Sequence, residues 1–507
     1  MAAIRLLAGL LNCPYLHPVL ISIYIMLFPS VNGAYQASIG SICNAAIIFA
    51  AVTLLLYILL SLLMRNKTQA GILASEIILI LFSFSYVWNT VKGKYLSGIF
   101  IGKQSYLLCV YSIAAILVIG LSFKLRKNKT LITITNAFNF SAVLLIGWLL
   151  FSNGAHFGSS KSVISDAYYQ QLMLHSQKAK CTSVCPNIYY IILDSYPRSD
   201  ILSSYYHFDN SSFIGELEKR GFYVASRSTS NYAFTHYSVA SSLNCNYIDS
   251  IVFPGKELNN IESIIPALLN NRVDRILGHY GYSDINIAPW FEHRDVRPIQ
   301  YAFQQSILLP FYQKIWVDYD QRKRIISAFD TLSRLETKSN TPLFVYDHIL
   351  CPHGPFVFDR NGNAPKYIFK LKHIKDMRTQ FLKQLEFVNY KILMAISKIQ
   401  LNHTIPPIII IQGDHGSAYM DSPFIDSDEK PDSLFLCGQM SILNAFLVPE
   451  NIKAKLYPAI TPVNAFRLVL SSLFNEHLPL IEDKNYYSSH RDPANFIDVT
   501  MQLKDCK

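Results

Sequence analysis

Long basic runs are missing from this sequence. The net charge is +10, yet the basic residues are spread out and gather only once, at KLRKNK (124–129). That excludes a phosphate-tracking nucleic-acid surface as the organising feature, and membrane topology accounts for the one cluster. Cysteine and histidine at metal-ligand spacing are missing too. Cys181 and Cys185 form a CxxxC with no further Cys or His partners at the right distance, which makes a poor zinc motif. Internal repeats and low-complexity tracts are absent, so a repeat array is excluded. No pair of apolar spans is broken by Gly or Pro, which gives little sign of a transporter's substrate path.

What is present is apolar surface. Of 507 residues 51% are hydrophobic, and the mean hydropathy is +0.22. This is too apolar for an ordinary soluble enzyme and too polar for an all-membrane protein, so a membrane part joined to a soluble part is expected. Five apolar spans fall at 17–32, 41–64, 71–91, 105–123 and 131–152. Most reach the ~20 residues needed to cross a bilayer. The first is short and broken by Pro29; alone it reads as a signal peptide, but with four more behind it a first membrane helix is the better reading. Arg5, Arg65, Lys67, Lys124, Arg126, Lys127 and Lys129 fall on one side of the spans, and Lys92, Lys94 and Lys103 on the other. The richer side is cytoplasmic by the positive-inside rule, which places everything after about residue 153 outside the cytoplasmic membrane. Glu76, inside the third span, is expected to snorkel.

The expected organisation is a membrane anchor (1–152), a juxtamembrane linker (153–185) and an outer domain (186–507). Six of the nine cysteines lie beyond the anchor, an even number that permits disulfides in an exported domain. Cys181–Cys185 is the favoured local pair, and the rest of the pairing stays open. From 186 onward apolar strand runs alternate with helical patterns. NIYYIIL (187–193), LFVYDHI (343–349) and PPIIIIQ (406–412) read as buried strands; 210–221, 261–281, 321–336, 376–400 and 463–475 read as helices. This alternation predicts an α/β domain with a largely parallel sheet covered by helices on both faces.

Three of the strand runs end in reactive residues. IYYIIL ends in Asp194. LFVYDHI leads into Cys351-Pro352-His353-Gly354. IIIIQG ends in Asp414-His415-Gly416-Ser417. If the strands are parallel, these ends share one edge of the sheet, where open α/β sheets bind ligands. Asp194, Asp414 and His415 then make three protein ligands for a divalent metal such as zinc or manganese. Thr235, just before HYSVASSLN, starts a short helical segment and is the natural nucleophile for the fourth position. Taken singly, Asp194 is a turn or cap residue, Thr235 an N-cap, Asp414-His415 a turn and His353 a loop histidine; Asp347 and His348 fit a structural role inside their strand. Only convergence separates the two sets of readings.

Together, IILDSY, SNYAFTHYSVASSLN, HILCPHGPFVF and IIIIQGDHGS resemble the sulfatase-like branch of the alkaline phosphatase superfamily. The likeness is to the membrane-anchored lipoteichoic acid synthases and phosphoethanolamine transferases of bacterial envelopes, over about residues 186–490. It implies that Asp194, Asp414 and His415 hold one metal ion and that Thr235 both binds it and attacks phosphorus. It implies that His353 contacts the substrate phosphate or the leaving group. It relates Trp290 and Arg294, in APWFEHR, to a substrate-side pair. The expected partners are the lipid membrane, a phospholipid or phospho-ester donor, and a glycan or lipid acceptor. Two departures matter. Asp194 stands where the phosphotransferases usually have Glu, and FTHYSVA lacks the C/S-x-P/A-x-R motif from which sulfatases make formylglycine. Head-group transfer through Thr235 is the expected activity; ester hydrolysis and a non-catalytic scaffold are its competitors.

Overall fold

The computed structural model describes residues 12–31, 39–91, 95–96, 99–100, 104–124, 127–153, 185–252, 261–287, 306–308, 318–335, 341–365, 374–417, 431–474, 476–489, 492–504 and 506. The chain divides into two compact units, 1–160 with 292–317 and 161–291 with 318–507. Residues 306–308, within the range expected for the outer domain, fall in the first of these units. There the Ile307 N–H donates to the Leu81 carbonyl at 2.7 Å.

The first unit contains α1 (Leu16–Val31), α2 (Ile39–Met64), α3 (Lys67–Val91), α4 (Gln104–Lys124) and α5 (Asn128–Asn153). Among the described residues four helices, α2 to α5, are long and apolar enough to cross a membrane. The first expected span differs: α1 has 16 residues, about 24 Å at the helical rise against the ~30 Å of a bilayer core. It nevertheless packs on α2, α3 and α5. Nδ1 of buried His17 lies 2.6 Å from Ser75 Oγ, and Asn139 Nδ2 donates to the Cys13 carbonyl at 2.9 Å. A Cβ on Gly71 would fall 1.9 Å from the Pro14 carbonyl oxygen, so only glycine admits this approach. Glu76 does not simply snorkel: Ser122 Oγ donates to its Oε2 at 2.6 Å. A helix-to-helix hydrogen bond satisfies a polar group where water is scarce.

The second unit is built on a six-stranded sheet. Its strands are β1 (Ile188–Leu193), β2 (Tyr223–Val224), β3 (Ser283–Asn286), β4 (Leu343–Ile349), β5 (Ile408–Gln412) and β6 (Asn444–Leu447), in the spatial order β2-β6-β5-β1-β4-β3. β1 pairs in parallel with β4 and β5, and β3 in parallel with β4; only β6 runs against its neighbours. Every residue of β1, β4 and β5 is buried, because helices cover both faces. Tyr189, Ile191 and Leu193 point into one core layer, while Ile188, Tyr190 and Ile192 point into the other, as the two-residue period of a strand requires.

The main helices are α6 (Ser211–Lys219), α7 (Thr235–Asn244), α8 (Arg272–His279), α9 (Asp318–Arg334), α10 (Ile374–Leu401) and α11 (Pro462–Phe474). The single helix expected over 261–281 is three short pieces, 261–264, 265–269 and 272–279. The break has a local cause. Asn271 caps α8: its Oδ1 accepts from the Asp274 N–H at 2.9 Å and its Nδ2 donates to Asp274 Oδ2 at 2.6 Å. Among the cysteines, Cys437 is bonded to Cys506. Cys185 is also disulfide-bonded, while Cys181, its expected partner, lies outside the described residues.

Candidate metal centre

The parallel register settles where the reactive residues meet. Leu193 stands beside Ile349, and Ile192 stands beside both His348 and Gln412. Asp194 and Asp414 therefore leave the sheet side by side at its C-terminal edge. The backbone stitches them together there. The Asp194 N–H donates to the Ile349 carbonyl at 3.0 Å, and the His353 N–H donates to the Asp194 carbonyl at 3.1 Å. Ser195, at φ +63°, turns its N–H onto Asp414 Oδ1 at 3.0 Å and its hydroxyl onto the Gly416 carbonyl at 2.6 Å.

Asp194, His348 and Asp414 each offer one ligand atom, all within 4.8 Å of one another and all buried. His348 Nε2 lies 3.4 Å from Asp194 Oδ2 and 4.0 Å from Asp414 Oδ2. His415 Nε2 lies 3.8 Å from Asp194 Oδ1 and 3.6 Å from Asp414 Oδ2. Most of these separations exceed a hydrogen bond. A tetrahedral ion with bonds of about 2.0–2.2 Å spaces its ligand atoms roughly 3.3–3.6 Å apart, close to what is seen. Among the described residues, Asp194 Oδ1 and Asp414 Oδ2 are buried and accept no hydrogen bond. Two buried carboxylates in contact are costly without a compensating cation. The residues fit a divalent metal.

The histidine tautomers agree. His415 Nδ1 sits 2.7 Å from the Gly416 carbonyl oxygen. A carbonyl only accepts, so Nδ1 carries the proton and the Nε2 lone pair faces the two carboxylates. A neutral ring held this way by its other nitrogen is a ligand-ready histidine. Burial alone would lower the basicity of His415, but the Asp414 and Asp194 carboxylates outweigh it and raise its pKa. Burial pushes the Asp194 carboxyl up, yet the His353, His348 and His415 rings hold it well below the usual carboxylate range.

Of the residues singled out in the sequence, Asp194, Asp414 and His415 converge. His353 joins them at the rim, half-buried, its ring centroid 6.1 Å from that of His415. Its Nδ1 donates to the Gly354 carbonyl at 2.6 Å, which leaves Nε2 to exchange protons. Thr235 opens α7 but is not its N-cap; Phe234 is, with no side-chain capping bond. One turn later, Ser238 Oγ donates to the Asp414 carbonyl at 2.6 Å, anchoring the first turn of α7 on the strand end that carries Asp414. Trp290 and Arg294 lie outside the described residues.

His348 is the member of the cluster that sequence patterning left as a structural residue. Inside a strand it carries no motif, and only the register with Ile192 reveals where it points. Its neighbour Asp347 faces the opposite layer. Both Asp347 oxygens are buried without a hydrogen bond among the described residues, and burial raises that carboxyl well above its ordinary value. Asp347 is thus no part of a second ligand set on the His348 side.

No protein-family model and no curated protein matches the chain. Among solved structures, the integral membrane lipooligosaccharide phosphoethanolamine transferase A of Neisseria meningitidis is similar at 12% identity and a TM-score of 0.40, over 93% of this chain and 97% of that one. The C-terminal periplasmic domain of EptC from Escherichia coli is similar at 12% identity and a TM-score of 0.39, over 64% and 94%. The phosphonate monoester hydrolase of Agrobacterium radiobacter is similar at 11% identity and a TM-score of 0.38, over 60% and 80%. Similarity at this distance leaves the chemistry to be judged from the site itself.

Proposed function

We propose that this chain is a membrane-anchored, metal-dependent transferase in which Thr235 takes a phosphoryl-linked head group from a lipid or other phospho-ester donor and passes it to an envelope glycan or lipid. The observation that supports this most is the convergence of Asp194, His348, Asp414 and His415 at one sheet edge, with separations that suit a single divalent ion.

Asp194, Asp414 and His415 hold one divalent ion, zinc or manganese, and His348 stands ready as a further nitrogen ligand. When bound, the ion supplies positive charge to the phosphoryl oxygens and lowers the pKa of a neighbouring hydroxyl. Thr235 enters and leaves as the alkoxide: its Oγ forms the new bond to phosphorus as the P–O bond to the donor breaks, and no proton of its own needs a home in either half of the cycle. The amides of the first turn of α7, uncapped by Phe234, face the negative charge of the phosphoryl group. His353 Nε2 delivers a proton to the departing oxygen. The same nitrogen then takes the proton of the acceptor hydroxyl as it displaces Thr235.

Sidedness follows from charge. α3 and α4 carry the chain across and back, so the Arg65/Lys67 and Lys124–Lys129 turns share one side. α5 then leads to the opposite side whether or not α1 crosses. With the basic turns cytoplasmic, the second unit lies outside the cytoplasmic membrane.

The test is metal content together with mass spectrometry of Thr235 after incubation with labelled phosphatidylethanolamine or phosphatidylglycerol. About one metal per chain and a head-group adduct on Thr235, absent from Asp414→Asn, are expected. Metal with release of the head group to water alone points to a hydrolase. Neither metal nor adduct overturns the reading in favour of a scaffold.

A further inference from the structure

We infer that Gln384, on α10, is a positioning residue that holds His353 against the departing group; the inference rests on the reading of the site given above. Gln384 is fully buried, and its amide uses both of its ends. Oε1 accepts from the Val357 N–H at 2.8 Å and from the Phe358 N–H at 3.1 Å. Nε2 donates to the Pro352 carbonyl at 3.1 Å and to the His353 carbonyl at 2.9 Å. One side chain thereby closes the loop 352–358 from within, joining its first two residues to its last two.

The chemistry of the amide is specific to this task. Two donors and two acceptors are needed at once, and among side chains of this length only glutamine carries both. Glutamate at the same position would turn a carboxylate oxygen toward two carbonyls. The rest of the loop is braced independently. The Arg322 guanidinium on α9 lies 4.5 Å from the Phe358 ring centroid and donates to the Val357 and Gly362 carbonyls. The far end of the loop is thus held by both Arg322 and Gln384. Of these two side chains, only Gln384 reaches the end that carries His353. On the site side, His353 is fixed by its N–H to the Asp194 carbonyl. Gln384 therefore holds the His353 carbonyl and Asp194 its N–H, so the backbone that carries the ring is fixed on both sides of the Cα. A support of this kind sets geometry at the reacting atoms without touching them.

The consequence is selective. A group that serves the leaving oxygen matters for a donor whose alkoxide leaves poorly and little for one that leaves without a proton. The experiment compares two donors on full-length Gln384→Glu: phosphatidylethanolamine, with an alkoxide leaving group, and a p-nitrophenyl phosphodiester of ethanolamine. The readouts are the rate of Thr235 adduct formation and the metal bound per chain. The expected result is wild-type metal content, a tenfold or larger loss with the lipid donor, and a rate within about twofold of wild type with the p-nitrophenyl donor. His353→Ala should show the same split, and the double variant should be no slower than His353→Ala alone. If Gln384→Glu does not fold, Gln384→Asn, which keeps the amide but withdraws it by one methylene, takes its place. Equal losses on both donors, loss of metal, or rates unchanged on both would overturn the positioning role. A wild-type chain with neither metal nor adduct would overturn the underlying reading instead, and this inference with it.

Discussion

The backbone N–H of Ser195 donates to Asp414 Oδ1 at 3.0 Å from a left-handed backbone, φ +63°, that non-glycine residues seldom adopt. The turn after one strand thus orients the carboxylate that ends another. It occupies one oxygen of Asp414 and leaves Oδ2 toward His348 and His415. Backbone strain of this kind persists only where the surroundings over-determine it. Here the Ser195 hydroxyl supplies the second tie, to Gly416. Ser195→Gly keeps the φ and the N–H but removes that tie. It is expected to weaken metal binding several-fold while leaving the fold intact, as read by chelator competition and circular dichroism.

The carboxylates carry the metal prediction. Asp194→Asn and Asp414→Asn are expected to lower bound metal from about one per chain to near zero, and His348→Ala to lower retention under chelator. Removing the metal from the wild type leaves two buried carboxylates in contact, so chelation should lower Tm. The same treatment should leave the Tm of Asp414→Asn unchanged, because one of the two charges is already gone. Elemental analysis and thermal denaturation with and without chelator check both statements.

Gly416 is required by close approach. A Cβ there would lie 2.0 Å from the Gly438 carbonyl oxygen, which is backbone and cannot swing away. The Gly416 and Ser417 N–H groups donate to the Gln439 and Gly438 carbonyls at 2.7 and 2.8 Å. Gly416→Ala must push the His415 loop off this support. It is expected to cost about 2 kcal/mol or more of stability and to abolish adduct formation on Thr235, measured by denaturant titration and by mass spectrometry.

The same support is stapled by the Cys437–Cys506 disulfide, which ties the helix Ser433–Met440 to the C-terminal residues. Arg198 adds to it: its NH2 group donates to the Cys506 carbonyl at 3.1 Å. Cys506→Ser is expected to lower stability by about 2–4 kcal/mol and to weaken metal retention. Denaturant titration and chelator competition read the two effects.

Asp274 gives a pH dependence remote from the metal. Burial, with Asp284 nearby, pushes its carboxyl up to about 7 against the smaller opposing effect of Asn271. The folded state therefore holds the proton more tightly than the unfolded state. The stability this contributes is full below about pH 4 and is lost as pH rises through about 7. Asp274→Asn removes that slope. Relative to wild type it should gain about 1–2 kcal/mol between pH 5 and pH 8, a figure discounted because the side chain is partly exposed. Asn271→Ala removes the cap of α8 and should cost about 1 kcal/mol at either pH.

The sequence by itself determined the apolar helices, the three central strands and the reactive residue at the end of each. Continuous apolar runs are buried on every side, and a polar residue that ends such a run must leave the core at the sheet edge. It read GFYVASR (221–227) as a strand, which contains β2, but it could not determine the short strand β6, which is held by pairing with its neighbours more than by its own pattern. It also read 261–281 as one helix, because periodicity does not register the Asn271 cap that divides it. The parallel register was a tertiary decision, and it converted three separate strand ends into one site. The same register brought in His348, whose neighbours are Ile192 and the two carboxylates and whose own sequence context is only a strand. Gln384 and Ser195 were equally silent in one dimension. Each acts on residues 26 or more positions away, through hydrogen bonds whose partners exist only once the loops are folded.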